Sequence, residues 1–147
     1  MSDLEDIVRE LVEIEPPEFY GEILGYNCKV WRNHFGAYCG YVEIFETHPL
    51  LKFYDYIEYG TIDRKLEETI GCALDMHGGM TYFERIIGGY IIGFDTAHYG
   101  DYVCHPATSY VANITRESPA NYRHFDYVWA QLQYICLQLQ FYAEKLR

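Results

Sequence analysis

The last quarter of the chain constrains the fold most. Tyr122, Phe125, Trp129, Leu132, Ile135, Cys136 and Leu139 fall on one stripe at helical spacing. A stripe that long needs an apolar surface to lie across. Ser118 reads as an N-cap and Pro119 as the first helical position, so the spacing predicts a helix over 119–145. The surface it needs is supplied upstream. Residues 28–33, 38–45, 69–76, 80–84 and 89–95 are short runs rich in Tyr, Val, Ile, Phe and Thr, punctuated by Gly, Asn or His-Pro. Short links such as His77-Gly78-Gly79 and the stretch 85–88 predict antiparallel neighbours.

The front of the chain reads as a second helix, over 1–18. Ser2 and Glu5 form a capping box, Leu4, Ile7, Val8, Leu11 and Val12 share a face, and Pro16-Pro17 ends it. The expected fold is therefore α+β: an antiparallel sheet core spanning 28–101, with the N-terminal helix and the long C-terminal helix packed on it. Residues 48–66 read as a loop with one or two helical turns, and 99–118 as the longest irregular stretch. No internal repeat or linker divides the 147 residues, so a single domain is expected.

Charge and cysteine usage narrow the function. The net charge is −11, and residues 1–22 carry eight acidic side chains against Arg9 alone. Such a field repels the phosphate backbone of DNA and RNA, and anionic membrane surfaces too. Neither a nucleic-acid polymer nor a membrane is an expected partner. A small anion can still meet a local Arg or Lys. The five cysteines make no CxxC pair, and no signal peptide opens the chain, which fits free thiols in a reducing cytosol. Sixteen tyrosines suit packing, subunit contacts and flat ligands, and a homo-oligomer is expected.

Two segments carry chemistry. In the first, His77-Gly78-Gly79-Met80-Thr81-Tyr82, an imidazole stands beside bare backbone that a phosphate or oxyanion can approach. The competing reading is an ordinary Gly-Gly hairpin. In the second, Gly93 to Asp101, a strand end delivers Asp95, His98 and Asp101 within seven positions, with Tyr99 and Gly100 between them. A carboxylate beside a His fixes its tautomer and raises its basicity. The same set can bind a divalent metal, although no cofactor is required by any motif. Structural capping of a turn is the bland alternative. A third set pairs Trp31, for stacking, with Arg32, for an anion. Walker A, Rossmann, GxSxG and HExxH patterns are all missing.

Taken together, GAYCGYVEI at 36–44, His48-Pro49, HGGMTY at 77–82, GFDTAHYGD at 93–101 and the closing helix resemble a widespread family of small tailed-phage proteins. The likeness covers roughly residues 30–140 and leaves out the acidic front helix. The chain departs from the pattern at Glu43-Ile44-Phe45 and Leu51-Lys52, around the His-Pro turn. The resemblance implies a phage origin and the cytoplasm of an infected bacterium; it assigns no reaction.

Three readings follow. In the first, the protein is an anti-defence factor that sequesters a small nucleotide immune signal, such as a cyclic dinucleotide or an ADP-ribose derivative. Its contacts would be His77, Gly78, Gly79, Thr81, Asp95, His98 and Asp101 on phosphate or ribose, Arg32 on an anion, and Trp31, Tyr82 or Tyr99 on the base. In the second, it hydrolyses such a signal. His77 and His98 then act as base and acid, or join Asp95 and Asp101 around a metal. In the third, it inhibits a host protein through its Tyr-rich surface.

Overall fold

The computed structural model describes residues 3–34, 36–53, 62–106, 109–116 and 118–147. Five strands form one antiparallel sheet in the order β1-β2-β3-β5-β4: β1 (Glu18–Ile23), β2 (Tyr26–Arg32), β3 (Tyr38–Phe45), β4 (Tyr82–Ile86) and β5 (Gly89–Asp95). The fold is α+β, with an N-terminal helix α1 (Asp3–Ile14) and a long C-terminal helix α5 (Phe125–Lys145). Between them lie α2 (Pro49–Phe53), α3 (Ile62–Ala73) and α4 (Ser109–Thr115). No helix among the described residues is long and apolar enough to cross a membrane.

Side-chain alternation separates the two faces of the sheet. Val30, Val42, Ile44, Ile92 and Phe94 point inward and are almost wholly buried. They meet Val128, Leu132, Ile135, Cys136 and Leu139 of α5, and Ile70 of α3, in one core. Gly40 marks the closest approach, because a Cβ there would stand 2.6 Å from the Phe94 ring and 3.0 Å from Leu132. α1 does not share this core. Its Val8 packs with Tyr102 and Cys104, on the segment that follows the sheet.

Several expectations are corrected. Residues 69–76 are not a strand: α3 runs through Ala73, and Leu66, Ile70 and Leu74 are buried at i, i+4, i+8. Tertiary burial on that helical stripe overrides the β-branched local preference of Thr69-Ile70. His77-Gly78-Gly79 is consequently a helix-to-strand connection, not a hairpin link. The predicted strand over 80–84 runs from Tyr82 to Ile86, and the sheet begins at Glu18 rather than residue 28, because β1 was hidden by its exposed acidic side chains. α1 ends at Ile14, ahead of Pro16-Pro17, and the Ser2 cap lies outside the described residues. The loop expected over 48–66 contains α2 and the start of α3; its residues 54–61 lie outside the described residues. The irregular stretch 99–118 contains α4.

The final helix also starts later than Ser118 suggests. The Ser118 hydroxyl caps a single 3-10 turn, Pro119–Asn121, and the chain then extends before α5 begins at Phe125. The cap of α5 comes from far away. Glu15, just past α1, accepts the Phe125 N–H at 2.5 Å and the Tyr122 hydroxyl at 2.5 Å, while Arg32 lies 3.8 Å from the same carboxylate. A carboxylate at a helix N-terminus complements the helix dipole.

His48-Pro49, read as turn punctuation, is a buried lock. His48 Nδ1 accepts the Leu50 N–H at 3.1 Å, so Nε2 carries the proton and faces the Leu139 carbonyl at 3.1 Å and the Tyr26 hydroxyl at 3.0 Å. Burial pushes its pKa below the ordinary histidine value, and the Leu139 carbonyl offsets only part of that. The folded state therefore resists a proton that the unfolded chain accepts near pH 6.5. His48 contributes stability that is complete above that pH and is lost as the pH falls towards its folded pKa. Chemical denaturation at pH 7.5 and 5.5 is expected to show a lower midpoint at 5.5, and His48→Gln should shrink the difference.

Candidate functional site

The two predicted segments meet. The chain leaving α3 lies along a polar ridge of α5. Gln138 Oε1 accepts the Asp75 N–H at 2.7 Å, and Gln131 Oε1 accepts the His77 N–H at 2.9 Å. This holds the His77 ring against the Tyr127 hydroxyl, 2.7 Å from Nδ1. Beyond β5, the Asp95 carboxylate accepts the Ala97 N–H at 3.0 Å and turns the strand end. Gly100, at φ +94°, completes the reversal that brings Asp101 back beneath His98.

Asp101 is the centre of the cluster and is 2% exposed. Its two oxygens lie 2.9 and 3.0 Å from His77 Nε2. They also accept the Arg123 Nε–H at 2.9 Å and the His98 backbone N–H at 3.0 Å. Burial opposes ionisation, but the bonds from His77, Arg123 and the His98 amide outweigh it and lower the pKa to about 2. The group is a fixed carboxylate at any physiological pH.

His98 is the outer member. Its ring packs on Gly78: a Cβ at that position, where φ is +68°, would stand 2.4 Å from His98 Cε1. Its Nε2 faces Asp95 Oδ1 at 3.5 Å. Its Nδ1 is buried 3.4 Å from Asp101 Oδ2, off the line of a hydrogen bond, and has no hydrogen-bond partner among the described residues. The rings of His77 and His98 are 5.8 Å apart.

One donor atom each from His77, His98 and Asp101 lies within 4.8 Å of the others, so these three residues can hold a metal ion. Ligands about 2.0–2.2 Å from a zinc-like ion stand roughly 3.0–3.5 Å from one another. The Asp101 distances to His77 and His98 fall in or next to that range. The surroundings fit as well. Metal-bound histidines have the second ring nitrogen held by a polar partner. His77 Nδ1 has the Tyr127 hydroxyl, which can donate to that nitrogen or accept from it, and His98 Nε2 has Asp95.

The other expected residues are placed elsewhere. Thr81 joins the sheet through its N–H to Gly93 O at 2.9 Å. Gly79 N–H is bonded to Met76 O at 3.0 Å, which removes one of the two amides an oxyanion nest would use. Tyr99 is 79% exposed beside the cluster in sequence. Trp31 and Tyr82 line the opposite, outer face of the sheet. Arg32 is engaged by Tyr122 and Glu15, with its guanidinium 4.1 Å from the Tyr38 ring centre. Arg123, Tyr127 and Gln131 were missed as partners of the cluster; Tyr127 and Gln131 stand at i, i+4 on α5, which is a readable signal, whereas Arg123 lies just ahead of the helix.

Comparison with protein-family models, with curated proteins and with solved structures gives no match to this chain.

Proposed function

We propose that His77, His98 and Asp101 hold one divalent transition-metal ion and that the protein is a metal-dependent hydrolase of a small phosphate ester, a nucleotide. The observation that carries this is the buried His98 Nδ1, which has no hydrogen-bond partner among the described residues and lies 3.4 Å from a carboxylate that His77, Arg123 and the His98 amide already fix. A buried polar atom without a partner is costly. A metal ion satisfies it and leaves the remaining coordination positions for water and substrate. The ion supplies a Lewis acid and a bound water of lowered pKa. Hydrolysis then adds the water oxygen to phosphorus, breaks the ester P–O bond, and passes a proton to the departing alcohol.

The metal-free version, with two histidines exchanging protons, has less support. His77 has both ring nitrogens engaged, and its side chain is 13% exposed. A largely enclosed ring whose nitrogens face Tyr127 and Asp101 is better placed to serve an ion inside the cluster than a substrate outside it. The resemblance to tailed-phage proteins suggests the setting: a nucleotide immune signal of an infected bacterium, removed by cleavage.

The test is incubation of pure protein with excess cyclic dinucleotides and ADP-ribose derivatives, read by chromatography. Turnover should stop in EDTA, return with Zn²⁺ or Mn²⁺, and vanish in His98→Ala. Turnover that persists in EDTA would overturn the metal reading. Stoichiometric capture with intact release on heating would replace hydrolysis by sequestration.

The Tyr127 contact makes a separate prediction. Tyr127→Phe removes the hydroxyl that orients His77 and should weaken metal binding by roughly 10–100-fold. The circular dichroism spectrum should not change.

A further inference from the structure

The outer face of the sheet holds a second feature, on the side away from α5. Alternation places Tyr20, Lys29, Trp31, Tyr41, Glu43 and Tyr82 together around a groove of about 380 Å³. That is within the usual range for a small-ligand site, of order 300–1,000 Å³. The rings are held in place before any ligand arrives. The Tyr20 hydroxyl donates to Glu18 and the Tyr82 hydroxyl to Glu84, each two residues along its own strand. Tyr41 meets Tyr82 edge-on at 5.2 Å and lies over Gly93, where a Cβ would stand 2.6 Å from the Tyr41 ring. The Lys29 ammonium sits 5.3 Å from the Tyr20 ring centre and 5.6 Å from that of Trp31. Walls fixed in advance lower the ordering cost of binding a flat ring.

Charge selects the occupant. Glu18, Glu22, Glu43 and Glu84 point to this face by strand register, and Lys29 is 3.7 Å from Glu18. A phosphate is repelled here, whereas an uncharged planar ring is not. On the groove's lining Glu43 offers a carboxylate, which only accepts, and among the described residues its side chain is met by a stretched 3.4 Å hydrogen bond from Asn27 Nδ2. A ring presenting two adjacent N–H donors matches that carboxylate; a ring presenting an acceptor beside a donor does not. Guanine carries the first pattern on its N1–H and N2 amino group, and adenine the second.

The geometry points to this groove as a binding site for a guanine base, stacked among the tyrosines and Trp31 and held by Glu43. It does not rest on the metal reading, and the experiment is run on EDTA-treated protein for that reason. Trp31 fluorescence is titrated with guanosine, inosine and adenosine, and Trp31→Phe supplies the signal of Trp129 alone. Guanosine is expected to give saturable quenching at least tenfold tighter than inosine, which lacks the N2 amino group, or adenosine. Glu43→Gln should bring the three within about threefold of one another. Absence of saturable guanosine binding, a preference for adenosine, or equal affinity for all three in the wild-type protein would each overturn the proposal. The wild-type ligand series needs no variant to fold.

Discussion

Gly78→Ala is expected to abolish metal binding and turnover, while its neighbour Gly79→Ala preserves most of both. Both glycines sit at positive φ, +68° and +83°, so both substitutions carry a left-handed backbone penalty of roughly 1–2 kcal/mol. They differ in what the new methyl group meets. At Gly79 it enters open space; at Gly78 it stands 2.4–2.9 Å from three atoms of the His98 imidazole. The ring has to move, and with it the Nδ1 that faces Asp101. Similar melting temperatures for the two variants, with metal affinity at least 100-fold lower in Gly78→Ala, would separate site geometry from backbone strain. Equal metal affinity in both would show that the position of His98 is irrelevant to the ion.

Glu15→Ala is expected to be the most destabilising of the substitutions considered, although its partners are Phe125, Tyr122 and Arg32 rather than the metal-binding side chains. The Glu15 side chain is 9% exposed and joins three elements. It accepts the first N–H of α5 and the Tyr122 hydroxyl, and it is the carboxylate partner of Arg32 on β2. Removing one member of a largely buried ion pair leaves the other charge uncompensated and typically costs about 3–5 kcal/mol. For a chain of this size that corresponds to a melting temperature lower by roughly 10–20 °C. Glu15→Gln keeps hydrogen-bond acceptors without the charge and should lose less. Thermal denaturation of the two variants, followed by circular dichroism, checks the order. A loss under about 1 kcal/mol in Glu15→Ala would mean that Arg32 finds another partner.

Where local pattern and tertiary environment agree, the residues could be read directly. The α5 stripe is an example: Leu132, Ile135, Cys136 and Leu139 are wholly buried against β2, β3 and β5. The strands β3 and β5 were also legible, because they are short, mostly buried runs rich in Tyr, Val, Ile and Phe bounded by turn residues. Elements decided by distant contacts were not. β1 carries mostly exposed side chains and is specified by pairing with β2, and the start of α5 is set by a glutamate 110 residues earlier. The candidate site divides the same way. His77, Asp95, His98 and Asp101 were visible as chemistry-bearing residues, but their convergence depends on Gln131 and Tyr127 of α5 and on Arg123 just before it, which no spacing within either motif reveals. Trp31 and Arg32 are adjacent in sequence and were grouped as one contact set, yet a strand sends neighbours to opposite faces, so one reached the groove and the other the Glu15 network.

The central claim is that His77, His98 and Asp101 form a metal centre, and isothermal titration of chelator-stripped protein with Zn²⁺ and Mn²⁺ tests it most directly. The account predicts one equivalent of tightly bound ion in the wild-type protein, reversed by EDTA and absent in His98→Ala at an unchanged melting temperature of the stripped protein. Binding that is absent from the wild-type protein, or that survives intact in His98→Ala, would contradict it.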